Sequence, residues 1–170
     1  LDVITHLLDA AQIEDGRFGY SFEPTDLVAF LDTMLGKALP VGKLYGVNIY
    51  FDRPQGAVVV AADAAKLGMA IANLVDNGIK YNAAGGSVTV TLASANGNAE
   101  IKIADTGAGI AETDMPKLFQ KFYRGEATMK KVAEGTGLGL YLAKNIIEGH
   151  KGTIRVESAE GRGTTFFITI

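Results

Sequence analysis

The chain has 170 residues, 48% of them hydrophobic and 21% charged, with a net charge of −3 and no cysteine. That length suits one α/β domain, or one domain with an appendage, and the apolar share supports a real core rather than disorder. Disulfides, thiolate catalysis and Cys-based zinc sites are excluded, no block of Lys or Arg points to nucleic acid, and no apolar run approaches the ~20 residues of a membrane helix.

The first residue is Leu1 rather than Met and no signal-peptide pattern follows, so the chain is expected to be a segment of something longer. Leu1, Ile4, Leu8 and Ala11 recur at three- and four-residue steps, the stripe of a helix that packs on a partner, until Glu14-Asp15-Gly16-Arg17 breaks it. So short a helix is not stable alone and should dock on another. Residues 19–23 are a strand candidate. Pro24-Thr25-Asp26 then opens a helix, with Thr25 as its cap, that runs to about Leu39 before Pro40. Residues 47–51 and 57–60 follow as strands around a turn containing Pro54 and Gly56.

A long helix covers residues 63–81. Residues 87–93 and 100–104 make a hairpin around Asn96-Gly97. Residues 116–122 form a short helical piece, 126–134 lack any apolar period and should be mobile, and 138–148 form the last helix. Residues 152–158 and 164–170 alternate apolar and polar positions as half-buried strands do. The sum is an α/β sandwich of the α+β kind: a mixed, mostly antiparallel sheet of about five strands with helices packed on one face.

Four stretches carry chemistry. In the 63–81 helix, Leu67, Ile71, Leu74 and Val75 share one side, while Asn73, Asn77, Lys80 and Tyr81 share the other at i, i+4, i+7, i+8. The second face offers an amide oxygen for a hard cation, an ammonium for phosphate and a ring for a base, although a solvated polar face would read the same way. Asp105 has the parity of Ile101 and Ile103, so it points under the helices. A carboxylate there needs a donor, either the amino group of a flat ring or the backbone of its own turn, Thr106-Gly107-Ala108-Gly109-Ile110. Gly135-Thr136-Gly137-Leu138-Gly139-Leu140 enters a helix, where N–H groups and the helix dipole favour anions. It matches neither the P-loop nor the dinucleotide spacing, and a flexible hinge would also use such glycines. Phe119 and Phe122 can anchor a loop apolar-side down, leaving Arg124 to reach a phosphate.

Together and in this order, these stretches resemble the N, G1, F and G2 boxes of sensor histidine kinases, within the ATPase superfamily that also holds DNA gyrase and Hsp90. Gly161-Arg162-Gly163-Thr164-Thr165-Phe166 resembles the last box before the closing strand. The match spans residues 20–170, and the combination is far more specific than any one box. It implies the ATP-binding fold of that superfamily in residues 19–170, and in residues 1–18 the end of the second helix of a dimerisation domain.

By that resemblance, Asn77 holds Mg²⁺ with support from Asn73, Lys80 contacts phosphate, Tyr81 lies against adenine and Asp105 accepts from the adenine amino group. Gly107 and Gly109 make room for the base, flanked by Ile110, Phe122 and Thr164. Gly135, Thr136, Gly137, Leu138, Gly139 and Leu140 surround the phosphates under a lid at 126–134, and Arg124 stabilises charge during transfer, which makes Asn77, Lys80 and Arg124 the catalytic set. The implied activity is transfer of the γ-phosphoryl of Mg-ATP to a histidine on the dimerisation domain, for relay to a response regulator receiver domain. The alternative is a degenerate domain that signals as a scaffold without nucleotide.

Three departures accompany the match. Glu134 stands where the family has a small residue, Gly78 replaces the usual Ala, and neither His6 nor His150 fits the acceptor, His150 reading as structural. The resemblance further implies a cytoplasmic segment of a parent that can be membrane-anchored, a homodimeric full-length protein and a monomer for these residues alone.

Overall fold

A computed structural model describes residues 2–95, 97–125 and 135–170. The chain runs α1 (Asp2–Glu14), β1 (Glu23–Asp26), α2 (Leu27–Tyr45), β2 (Asn48–Asp52), β3 (Val59–Ala62), α3 (Ala64–Lys80), β4 (Ser87–Ala95), β5 (Asn98–Asp105), a 3-10 turn (Met115–Lys117), α4 (Gly139–Gly149), β6 (Thr153–Ser158) and β7 (Thr164–Thr169). Five strands form one sheet in the order β2-β4-β5-β7-β6, and β1 pairs with β3 in a separate antiparallel ribbon. Only β2 against β4 is parallel; the other joins of the large sheet are antiparallel. The expected mixed, mostly antiparallel sheet under one helical layer is what forms.

The alternation of the strands places Val88, Val90, Leu92, Ile101, Ile103, Phe166 and Ile168 in the core. Leu27, Leu31 and Leu35 of α2, Leu67, Ile71 and Leu74 of α3, and Ile146 and Ile147 of α4 meet them from above. Along α3 the apolar stripe is fully buried, so the opposite stripe is held outward with its azimuth fixed by the core. Burying each of these large side chains is worth about 1.5–3 kcal/mol.

The structure departs from the sequence expectations at several places. Residues 24–26 are the end of β1 rather than a helix start, because they pair in register with Val59–Ala61. The cap of α2 is Asp26, not Thr25: its Oδ1 accepts from the Val28 amide at 2.9 Å, while the Thr25 hydroxyl donates to the Glu23 carbonyl. Asp26→Ala is therefore expected to cost about 1 kcal/mol in chemical denaturation, the usual value of such a cap. The helix also runs through Pro40 and ends at Tyr45, with Gly46 as its left-handed C-cap. Gly36 supplies the carbonyl that loses its partner, both residues lie on the exposed side, and Gly42 keeps the last turns seated on Ile49. The strands near 47–51 and 57–60 are displaced to 48–52 and 59–62 and belong to different sheets. The hairpin is longer than expected at both ends, and Asn96 of its turn lies outside the described residues, as do 126–134 with Glu134. The helical piece expected at 116–122 contracts to the single 3-10 turn.

Candidate functional site

The polar stripe of α3 faces the first turn of α4. Asn73 Nδ2 donates to the Met69 carbonyl one turn back at 3.0 Å, which aims Oδ1 at Gly139; a Cβ on Gly139 would sit 2.8 Å from that oxygen. Asn77 is partly exposed one turn further on, and Lys80 is exposed in the last turn. Tyr81 is the C-cap of α3 and half buried; burial pushes its hydroxyl pKa up, and the nearby Arg124 guanidinium pulls the other way. Asn73, Asn77, Lys80, Tyr81 and Arg124 are thus brought to one side of the domain.

Asp105 ends β5 beneath this face. Its Oδ1 accepts from the Gly107 amide at 2.7 Å and the Thr164 amide at 3.2 Å. Among the described residues, Oδ2 takes no hydrogen bond. Burial pushes the carboxyl pKa up while those two amides oppose it. Both readings of Asp105 are therefore compatible: one oxygen caps the turn, and the other is left as an acceptor. Thr164 is buried behind it, and its hydroxyl lies 3.0 Å from Ser158 Oγ.

The G1 glycines are used by the protein's own backbone. A Cβ on Gly107 would come within 2.7 Å of the Tyr81 carbonyl oxygen, and one on Gly109 would overlap the Ala159 carbonyl. These approaches let Ala108 donate to Tyr81 O at 3.0 Å and Gly161 donate to Ala108 O at 2.7 Å. Ile110 is held by its amide on Ser158 Oγ at 2.9 Å.

The glycine loop meets the F stretch. Phe122 donates from its amide to the Gly137 carbonyl at 3.0 Å, and Gly137 leaves no room for a Cβ beside the Phe122 backbone. This holds Phe122 at φ 60, a region a bulky residue rarely enters, and turns its ring outward, 61% exposed. Only Phe119 packs on the core, so the expectation that both rings anchor the loop is corrected by this backbone geometry. Arg124 Nη1 donates to the Gly135 carbonyl at 3.2 Å. The Thr136 hydroxyl accepts from the Leu138 amide at 3.2 Å. Leu138 is buried against Ala10 and Leu142, and Leu140 packs on the core. Because Leu138 occupies the N-cap and has no side-chain oxygen, no N-cap side chain bonds the first N–H groups of α4.

Three polar side chains that sequence reasoning gave no role tie the site together. Asn82 Nδ2 donates to the Gly78 and Ser87 carbonyls, and its Oδ1 lies 3.3 Å from the Thr106 hydroxyl. Thr106 Oγ1 in turn accepts from the Ser87 amide at 2.9 Å. Ser158 donates to the Gly163 carbonyl at 2.8 Å and accepts from Ile110. The sequence signal was slight: an Asn just past a helix end, and hydroxyls beside glycine turns.

Residues 62–170 match the family described as Histidine kinase-, DNA gyrase B-, and HSP90-like ATPase. The chain is 31% identical over 169 residues to the sensor-like histidine kinase SenX3 of Mycolicibacterium smegmatis, covering 99% of this chain and 44% of that protein. It is 32% identical over 168 residues to the sensor protein SrrB of Staphylococcus aureus, covering 99% of this chain and 29% of that one. The chain thus spans less than half the length of these curated relatives. Among solved structures, the mycobacterial sensor histidine kinase MprB superposes with a TM-score of 0.74 at 29% identity, covering 88% of this chain and 97% of that one.

Proposed function

Because this chain belongs to the family of histidine kinase-, DNA gyrase B- and HSP90-like ATPases, we propose that it binds Mg-ATP between α3, β5 and α4 and transfers the γ-phosphoryl group to a histidine outside these residues, for relay to a response regulator receiver domain. The observation that carries this reading is Asp105: a half-buried carboxylate with one oxygen fixed by two amides and the other open, beneath a helix face of Asn73, Asn77, Lys80 and Tyr81. A buried acceptor of this kind needs a donor, and the amino group of adenine is one.

The donor set fits the rest of the nucleotide. Asn77, with Asn73 beside it, would offer amide oxygens to Mg²⁺, a hard ion that prefers oxygen ligands. Among the described residues no group of three His, Cys, Asp or Glu could hold a metal instead. Lys80, Arg124 and the open N–H groups of α4 suit phosphate. When bound, Mg²⁺ neutralises charge on the phosphates. Tyr81 closes one edge of the base site, the Thr164 amide holds Asp105 with Ser158 bonded to the Thr164 hydroxyl behind it, and Gly135 to Leu140 shape the phosphate end. The protein's part in such transfer is positioning and electrostatics rather than covalent chemistry.

On this reading α1 is the end of a dimerisation helix. Val3, Ile4, Leu7 and Leu8 are exposed along it, a face suited to the rest of that domain. Residues 1–18 would then be the stub of that domain, 19–170 the catalytic domain, and the segment cytoplasmic. Among the described residues no helix is long and apolar enough to cross a membrane. The test is calorimetric titration of ATP with and without Mg²⁺. Asn77→Ala is expected to remove the Mg²⁺ dependence and weaken Mg-ATP binding about tenfold or more, the scale of one charge-assisted contact. Equal binding by both proteins in both conditions would rule out Asn77 as the metal ligand, and no binding at all would favour the scaffold.

A further inference from the structure

The stretch joining α1 to β1 carries three rings, Phe18, Tyr20 and Phe22, and takes no part in the site above. The rings meet in series: Phe18 and Tyr20 edge-on at 5.6 Å, Tyr20 and Phe22 stacked at 5.7 Å. They close on His150, the buried C-cap of α4, with Tyr20 at 5.4 Å and Phe22 at 5.2 Å, both edge-to-face. Gly149 makes the fit possible, since a Cβ there would overlap the Tyr20 ring. From the first turn of α3, Lys66 lies 4.8 Å over Phe18 and 5.2 Å over Tyr20 and donates to the Gly19 carbonyl. The Ser21 amide donates to Asp63 Oδ2 at 3.0 Å.

Both nitrogens of His150 are committed. Nδ1 lies 2.8 Å from the Ile146 carbonyl, which can only accept, so Nδ1 carries the hydrogen. Nε2 accepts from the Asp63 backbone amide at 3.1 Å. This pattern requires a neutral imidazole, because a proton on Nε2 would face the Asp63 N–H donor to donor. The charged and titratable groups around it are the Asp63 carboxylate and Lys66 ammonium at the start of α3, the Tyr20 hydroxyl on the linker, and the exposed Glu148 and Lys151 beside His150 in sequence. Burial works against the ionised Asp63, but the Ser21 and Lys66 hydrogen bonds and the Lys66 charge hold its carboxyl below the usual range. The ionised carboxylate is therefore the favoured form beside the ring.

We propose that His150 is a proton-operated latch on the linker: neutral, it clasps residues 18–22 against α3 and α4 and fixes the direction in which α1 leaves the domain; protonated, it lets them go. Once released, α1 is held by a small contact, Ala10 and Ile13 on Leu138 and Leu142 with the Lys121–Glu14 ion pair. The proposal does not depend on the nucleotide reading.

The absence of cysteine makes the test direct. Ile4→Cys on the exposed side of α1 and Glu100→Cys on the outer face of β5 take nitroxide labels, and the distance between them is measured by electron–electron resonance at about pH 8 and about pH 5, either side of the imidazole range. The labelled chain should give one narrow distance at the higher pH and a distribution at least about twice as broad at the lower one, with the amide signals of the sheet retained. In the His150→Gln background, where a carboxamide oxygen can replace Nε2 as acceptor but does not titrate, the response to pH should vanish. A His150→Ala chain should be broad at both values. The latch is overturned if the parent chain shows the same width at both pH values, or if His150→Gln broadens with acid as the parent does. These two chains decide the matter even where His150→Ala does not fold.

Discussion

Asp105→Asn is expected to weaken ATP binding by about 10- to 100-fold while leaving the fold intact, the range that follows from losing a hydrogen bond of about 1.5–3 kcal/mol to a charged group. The amide is nearly isosteric, and its oxygen can still accept from Gly107 and Thr164, so the turn after β5 keeps its cap. On the proposed reading, the other arm becomes an NH₂ donor facing the adenine amino donor. Guanine presents a carbonyl there, so the variant should lose its preference for ATP over GTP. Calorimetry with both nucleotides reads this, and unchanged ATP affinity would remove Asp105 from the base site.

The stability of the nucleotide-free protein should move the other way. The carboxyl pKa of Asp105 is raised in the folded chain, mainly by burial. A raised folded value means that its protonated form favours the fold. That contribution is present below the unfolded carboxylate pKa and is lost as pH rises through the folded value. At neutral pH the ion is a cost, so Asp105→Asn should be neutral to stabilising in thermal melts without nucleotide. A variant that melts earlier would instead mark Asp105 as chiefly structural.

Gly163→Ala is expected to be among the most damaging small substitutions near the site. Gly163 has φ 80, and a Cβ there would overlap the Asp105 carbonyl oxygen and come within 3.1 Å of Thr106 Cα. Both obstacles are backbone of the β5 end, which cannot swing aside as a side chain can. The expected loss is about 3 kcal/mol or more, lowering the thermal midpoint by about 6–12 °C for a domain of this size. Gly161→Ala is the control. It has φ 76 with nothing within 4 Å of the added carbon, so only backbone strain of about 1–2 kcal/mol applies. If the two variants melt together, strain alone explains both and the close approach to Asp105 is without consequence.

What could be read from the sequence was what repeats locally. The two faces of α3 were legible because eight side chains obey one 3.6-residue period, and β5 to β7 because alternation survives in each strand. Asp105 was legible as an inward-pointing carboxylate from parity alone. Its second amide partner was not, because that amide comes from Thr164, far along the chain. The same reason hid Asn82, Thr106 and Ser158, ordinary turn residues until Ser87, Ile110 and Gly163 are folded against them. The start of α2 was not legible because Thr25 and Asp26 are both good caps, and only pairing of β1 with β3 decides between them. The outward turn of Phe122 was not legible, because apolar spacing is silent about a backbone held at positive φ.

The parallel join between β2 and β4 bears on the order in which the molecule assembles. The β4–β5 hairpin can close early, since its partners are neighbours in the chain, whereas β2 must wait until β3 and the whole of α3 have been brought back over the sheet. β2 is also an edge strand, bonded along one side only. Its amides should therefore exchange with solvent through partial openings that leave the hairpin protected, and the domain should lose this edge before it loses the floor on which Asp105 stands.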